Sequence, residues 1–483
     1  MSDKLIDSIP KDMFIGGEWR PSSDGKRIPV VDPASEKVIA EVSSGSASDA
    51  SSAVDAAAQA GPGWASTAPR DRGEILRKAF ELMTARKVDF ATIISREEGK
   101  TLAEGLGEVN YAAEFFRWYA EEAPRTMGAF GRSPAGANHI LVDYSPVGVS
   151  LLITPWNFPA AMGTRKIGPA LAAGCTVILK PASETPLTAL ALAGLLEEAG
   201  VPAGVVNVLP SNRSSEISNR ILSDSRVTKL SFTGSTEVGR VLLAKASERI
   251  VNCSMELGGN APFIILDDAD LDAAVEGAMV AKMRNAGESC IGANRFYVHT
   301  SVASKFADRF AAAMAKLKTG PGLQKGVDVG PLVNASTRDK VEQLVADAIA
   351  RGARVLTGGK RPPGPGFFYE PTVITDIDPQ AEILNTEIFG PVAPIVAFDD
   401  VSDVIARANE TIFGLAAYVF SGNVGRALAV AKRVDAGIIG INRGFVSDPA
   451  APFGGMKQSG IGREGSQDGM HEFLEKKYVA VNW

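Results

Sequence analysis

Lys229-Leu230-Ser231-Phe232-Thr233-Gly234-Ser235-Thr236-Glu237-Val238-Gly239 reads as a strand, a glycine turn and the start of a helix. Residues 229–232 are a short β-rich run, and beyond the turn Val238, Val241 and Leu242 share one helical face. The backbone N–H groups at such a helix start, together with the helix dipole, can hold a phosphate. The spacing is not the G-x-G-x-x-G dinucleotide fingerprint, so the turn by itself specifies local structure more than ligand. Residues 147–153, 176–179 and 205–209 are further β-rich runs, with helix-like stretches such as Pro186–Ala199 between them. This alternation predicts an α/β fold with a parallel sheet. A second alternation follows, with a strand at 263–266 and a helix at 269–285. Asp267-Asp268-Ala269-Asp270 opens that helix, where acidic groups favour the dipole, so the cluster reads as capping and no metal site is expected.

The chain has 483 residues, 45% of them apolar and 22% charged, with a net charge of −6. That suits a globular protein of two or three domains and disfavours a nucleic-acid partner. The first residues carry no apolar core with a small-residue cleavage site, so no secretory signal is expected. Residues 144–164 are uncharged, but Pro146, Pro155 and Pro159 argue for buried strand plus turn, and no membrane association is expected. Three cysteines without paired spacing, and only three histidines, point to a reducing cytoplasm without structural metal. Residues 14–43 read as small strands and turns, and 48–119 as alanine-rich helices. The charge runs Arg70-Asp71-Arg72 and Arg96-Glu97-Glu98 read as solvated helix faces.

Cys290 lies in Ala286-Gly287-Glu288-Ser289-Cys290-Ile291-Gly292, a polar, glycine-flanked turn that a substrate can approach. Cys175 and Cys253 sit in strand-like runs and read as small buried hydrophobes. Glu256, in Met255-Glu256-Leu257-Gly258-Gly259, is a carboxylate at a strand end, placed well for a general base. Asn157 stands between Pro155 and Pro159, which hold its amide in a rigid turn. Thiol, base and amide donor are the parts needed to attack a carbonyl and stabilise the oxyanion.

These stretches resemble the NAD(P)-dependent aldehyde dehydrogenase superfamily, and the resemblance runs from Phe14 to the C-terminus. It implies two parallel-sheet α/β domains plus a small β oligomerisation element. Residues 1–130 and 147–256 would form a Rossmann-like dinucleotide-binding domain and 257–454 the catalytic domain. Residues 131–146 and 470–483, with strands near 139–144 and 477–481, would mediate assembly into a homodimer or homotetramer. The implied chemistry is thiohemiacetal and then thioester formation on Cys290, with Asn157 holding the oxyanion and Glu256 activating water. Lys180, the turn itself and the bound cofactor are the candidates for lowering the Cys290 pKa, which for a free thiol is about 8.5.

The resemblance also implies the cofactor site: Thr154, Pro155, Trp156, Lys180, Ser183, Gly234, Ser235, Gly239, Leu257, Glu387 and Phe389. Relatives restricted to NAD carry a glutamate three positions after the lysine; here that position is Ser183, so NADP is expected, with NAD also possible. Arg165, Arg284 and Ser447 match the positions that bind a substrate carboxylate in the succinate-semialdehyde branch of the family. Taken singly, Arg284 reads as a helix C-terminal cap, Arg165 as a surface charge and Ser447 as a loop residue. Together they imply a small carboxylated aldehyde as substrate: succinate semialdehyde, with glutarate semialdehyde or a broader aldehyde range as the alternative. Gly163 and Gly292 replace bulkier residues and are expected to widen the pocket.

Overall fold

The computed structural model describes residues 2–483. The opening stretch becomes strand Val227–Thr233 followed by helix Thr236–Ser247, with Ser235 as N-cap. That strand lies near one side of an eight-stranded sheet. Its five parallel strands run in the order Asn252–Glu256, Val227–Thr233, Val149–Ile153, Thr176–Lys180, Val206–Val208. Antiparallel pieces close its edges: Gly460–Ile461 beside Asn252–Glu256, and Met13–Ile15 with Glu18–Arg20 at the other side. The inner strands are buried on both faces, as continuous apolar runs such as Val177-Ile178-Leu179 require.

A seven-stranded sheet follows, in the order Arg354–Thr357, Thr372–Thr375, Val392–Phe398, Ala293–His299, Ala261–Ile265, Ala416–Phe420, Ile438–Ile441. All its pairings are parallel except that of Arg354–Thr357. Phe263, Phe296, Phe310 and Phe420 form the aromatic centre of its core, with Phe263 and Phe420 stacked at 4.8 Å. The third sheet has three antiparallel strands: His139–Pro146 in the centre, flanked by Leu474–Val481 and Ala129–Arg132. Both strands expected outside the main alternation are present, and Ala129–Arg132 joins them two residues before the expected boundary at 131. Phe130, His139 and Trp483 stack on this sheet, with Trp483 77% exposed.

Local signals explain most helix ends. Thr101 and Glu104 form a capping box at the start of Leu102–Glu122, and Asp270 caps Leu271–Met283 as its sequence suggests. Pro159 and Pro186 open their helices at positions where no N–H is needed, while Gly174 and Gly200 end them at φ +94° and +102°.

The two charge runs are solvated only in part: Arg70 and Asp71 are exposed and Arg96 half-buried, but Arg72, Glu97 and Glu98 are buried. The Arg72 guanidinium donates to the carbonyls of Ala172 (3.0 Å) and Thr67 (2.5 Å), so a buried cation closes the carbonyl end of helix Pro159–Ala173. Glu97 accepts the Leu187 and Thr188 N–H groups at 2.7 and 2.8 Å, capping the opposite pole of Pro186–Ala199. Both side chains serve helix ends far away in sequence, which a local reading of charge cannot reveal. Cys253 is likewise half-buried, not fully buried, because its strand lies next to the sheet edge, whereas Cys175 is buried as expected.

Candidate active site

Between the two large sheets lies a cavity of about 250 Å³. Cys290, Glu256 and Asn157 all line it, together with Arg165, Arg284 and Ser447. Helix Leu271–Met283 and the strand that follows carry Cys290 in their connection. Asn285, Ala286 and Gly287 run through that connection at φ +55°, +50° and +81°. Three successive left-handed residues are costly outside glycine, so the turn is held by its surroundings. At Gly287 a Cβ would lie 2.2 Å from the Gly390 carbonyl, and at Gly259 one would lie 2.4 Å from that of Cys290. The thiol is thus clamped between two glycine-dependent backbone approaches.

Glu256 ends its strand, 3% exposed. Burial, and then the nearby Glu464 carboxylate, raise its pKa well above the ordinary carboxyl range, against Arg165 and Lys166. Burial pushes the Cys290 thiol up to about 12, opposed by the Arg165 and Arg284 guanidiniums. Lys180 lies at the end of Thr176–Lys180 and does not line this cavity, so the geometry gives no support to it as the group that lowers the thiol. Asn157 is 3% exposed, and its Nδ2 donates to the Glu288 carbonyl at 3.1 Å, leaving a second N–H on that nitrogen.

Arg165 is no surface charge. It is 1% exposed, pairs through Nε with Glu464 at 2.5 Å and stacks 4.3 Å from the Phe453 ring. Arg284 differs: it donates to Ser447 Oγ at 3.1 Å, packs on Phe158 at 4.7 Å and Phe445 at 4.9 Å, and has no carboxylate partner among the described residues. Gly163 and Gly292 do not line the cavity. A Cβ at either would meet Leu192 or the Ser289 carbonyl, so their smallness serves packing and does not widen the pocket.

Toward the opening sequence, Pro155, Trp156, Gly234, Ser235, Leu257, Glu387 and Phe389 also line the cavity. Trp156 and Phe389 meet edge to face at 5.3 Å, and Glu387 accepts the Gly259 N–H at 3.0 Å. Thr154, Lys180, Ser183 and Gly239 lie outside its walls. Thr154 pairs with the Lys180 carbonyl at 3.2 Å, Ser183 donates to Glu184 at 3.1 Å, and a Cβ at Gly239 would meet Leu257 at 2.6 Å. Residues not singled out from sequence also line it: Tyr111, Phe158, Met162, Thr233, Thr337 and Lys340. Tyr111 lies in a stretch whose pattern is helical, whereas Met162 falls where the sequence suggests buried strand plus turn and the structure has helix Pro159–Ala173; no local pattern shows which helical face meets the site.

The residues present suit a dinucleotide phosphate. The first turn of Thr236–Ser247 has N–H groups without intrahelical acceptors beside Gly234 and Ser235. The Lys180 ammonium, 5% exposed, makes no hydrogen bond or ion pair among the described residues, and burial lowers it to about 8. The Glu184 carboxylate opposes that shift without contacting the ammonium, and an anion there would supply a direct partner.

Behind the turn, Glu288 is 1% exposed and accepts one hydrogen bond, from the Val333 N–H at 3.1 Å. Burial and the neighbouring Glu98 carboxyl raise it well above the usual range. The stability tied to its protonated form is fully present below about pH 4.5, and is lost as pH rises toward the folded value. Glu288→Gln is therefore expected to stabilise the fold at pH 8 by about 1 kcal/mol or more relative to pH 5. Denaturant unfolding at the two pH values checks this; equal stability changes would contradict it.

A thiol, a buried carboxylate and an amide donor converge on one cavity beside a phosphate-suited helix start. The chain belongs to the aldehyde dehydrogenase family, whose model matches residues 19–479. It is 53% identical, over 92% of its length and 99% of the relative's, to a succinate-semialdehyde dehydrogenase of Paenarthrobacter nicotinovorans. A glutarate-semialdehyde dehydrogenase of Pseudomonas putida is 46% identical, with 97% of each chain covered. Among solved structures, the crystal structure of an NADP-dependent enzyme of Escherichia coli superposes with a TM-score of 0.97 at 47% identity, covering 99% of both chains.

Proposed function

We propose that the chain oxidises succinate semialdehyde to succinate, with NADP as preferred electron acceptor and NAD as a second. The observation that carries the substrate reading is Arg284, a cavity guanidinium with a hydroxyl partner, Ser447, and no carboxylate of its own. A planar fork of donors is suited to a substrate carboxylate. Similarity to the Paenarthrobacter relative supports the same reading. Similarity to the Pseudomonas relative supports glutarate semialdehyde as a co-substrate.

In this reading Glu256, its proton affinity raised by burial, takes the thiol proton of Cys290. The thiolate attacks the aldehyde carbon, a C–S bond forms and the carbonyl π pair moves to oxygen. The free Asn157 N–H and the backbone N–H of Cys290 hold that oxyanion. When bound, the nicotinamide supplies a two-electron hydride acceptor at the carbon joined to sulfur. Gly234 and Ser235 would hold its pyrophosphate, Glu387 a ribose, Trp156 and Phe389 the ring region, and Lys180 with Ser183 the adenosine end. Glu256 releases the thiol proton to solvent and, ionised again, takes a proton from water as the water attacks the thioester; the C–S bond breaks and Cys290 leaves as thiolate.

The substrate reading is tested with Arg284→Met. KM for succinate semialdehyde is expected to rise about 10- to 100-fold, the scale of a charge-assisted hydrogen bond, with butanal little changed. Equal losses on both aldehydes would leave a generic aldehyde dehydrogenase. Arg165→Ala should impair both aldehydes, because it also strips Glu464 of a partner near Glu256.

Cofactor preference is tested with Ser183→Glu, which places a carboxylate beside Lys180. The ratio of kcat/KM for NADP over NAD is expected to fall at least about ten-fold, an electrostatic penalty of about 1.4 kcal/mol. An unchanged ratio would remove the assignment.

The outer strands of the three-stranded sheet, Ala129–Arg132 and Leu474–Val481, are largely exposed and support pairing with a second copy into a homodimer or homotetramer. No helix among the described residues is long and apolar enough to cross a membrane. Three free cysteines favour a reducing, cytoplasmic setting.

A further inference from the structure

We infer that Lys100, which does not line the cavity, is a positioning residue for the Asn157 amide. Lys100 lies on the link between helices Lys87–Glu97 and Leu102–Glu122, its side chain fully buried. Its ammonium donates to the Asn157 carbonyl at 2.7 Å and to Glu108 Oε2 at 2.6 Å, and lies 4.0 Å from the Phe158 ring. The other oxygen of Glu108 accepts the N–H groups of Ala160 and Ala161 at 2.8 and 3.3 Å. One ion pair therefore grips Asn157-Phe158-Pro159 on both sides: the carbonyl before the bend and the helix start after it.

A second donor reaches the same carbonyl from the thiol side. Asn285 Nδ2 lies 2.9 Å from Asn157 O and 2.7 Å from Glu98 Oε1, while its backbone N–H is held by Glu104 at 2.7 Å. Asn285 begins the left-handed run that leads to Cys290. Lys100 and Asn285 thus pin the oxyanion residue to the nucleophile's own turn, and fix which way the free Asn157 N–H can point. A solvent-inaccessible ammonium is a costly way to fill space, and an apolar side chain would serve packing alone as well. Its direct bond to the carbonyl of Asn157 gives the cost a purpose, because oxyanion stabilisation depends on sub-ångström placement of the donor.

This rests on the assignment of Asn157 as oxyanion donor, and a double-mutant cycle separates the two. Lys100→Met, which keeps length and loses the donors, is expected to lower kcat about 30- to 100-fold. The KM for succinate semialdehyde and the Kd for NADP should stay within about three-fold, since Lys180 lies outside this network and Arg284 meets it only through the Phe158 ring. In an Asn157→Ala background the same change should cost less than about three-fold, because the group it positions is gone. If Lys100→Met yields no folded protein, Lys100→Gln carries the same cycle. An undiminished loss in the Asn157→Ala background, or a kcat within about three-fold of the parent, would overturn the inference. If Asn157→Ala alone costs less than about ten-fold, the oxyanion assignment itself fails.

Discussion

Cys290→Ala is expected to lower aldehyde-dependent NADP reduction by at least about 1000-fold, the scale seen when a covalent nucleophile is removed. No other thiol lines the cavity. Cys175 is buried with its Sγ 3.3 Å from the Phe473 carbonyl, and Cys253 lies toward the start of strand Asn252–Glu256, at the end away from Glu256. Neither can replace the missing sulfur without unfolding a sheet. Cofactor affinity is expected to survive, because the helix start at Ser235, Glu387 and Lys180 are carried by other elements. Absorbance of reduced cofactor measures the first quantity and calorimetric titration with NADP the second. Residual turnover above about 1% of the parent would mean that the thiol is not the nucleophile.

Glu256→Gln is expected to separate the two halves of the reaction. The amide cannot take a proton from water, so thioester hydrolysis should slow by about 100- to 10,000-fold. Acylation should slow less, since the Arg165 and Arg284 guanidiniums still favour the thiolate. A rapid burst approaching one reduced cofactor per site, followed by slow turnover, is the expected trace in a stopped-flow mixing experiment. The rising limb of the pH profile that belongs to this carboxyl should vanish with it. A linear trace without a burst would place the slow step before hydride loss and remove Glu256 from deacylation.

Much of this site is written in short segments. The 229–239 stretch reveals strand, turn and helix because period two gives way to period 3.6 across a glycine, and the structure has the same order. Asn157 and Cys290 are legible because prolines and glycines bracket them. What stays hidden depends on partners distant in sequence. Arg165 is a charge of no evident use until Glu464, nearly three hundred residues later, sits 2.5 Å from its Nε. Glu97 and Glu98 look like solvent-facing acids until one caps a helix beginning at Pro186 and the other holds Asn285. Tyr111 gives no sign of its role, since an aromatic on an amphipathic helix is ordinarily core.

The unequal anchoring of the two arginines has a consequence for how such an enzyme changes through descent. Cys290, Asn157 and Glu256 are tied into backbone approaches and buried charge networks that many residues share. Arg284 is secured by aromatic faces and a single hydroxyl. On the proposed mechanism, selection can therefore trade the charge at position 284, and with it the preferred substrate, without disturbing the backbone that carries Asn157, Glu256 and Cys290. Chemistry and taste are separately mutable in this fold, and substrate preference is the one expected to drift first.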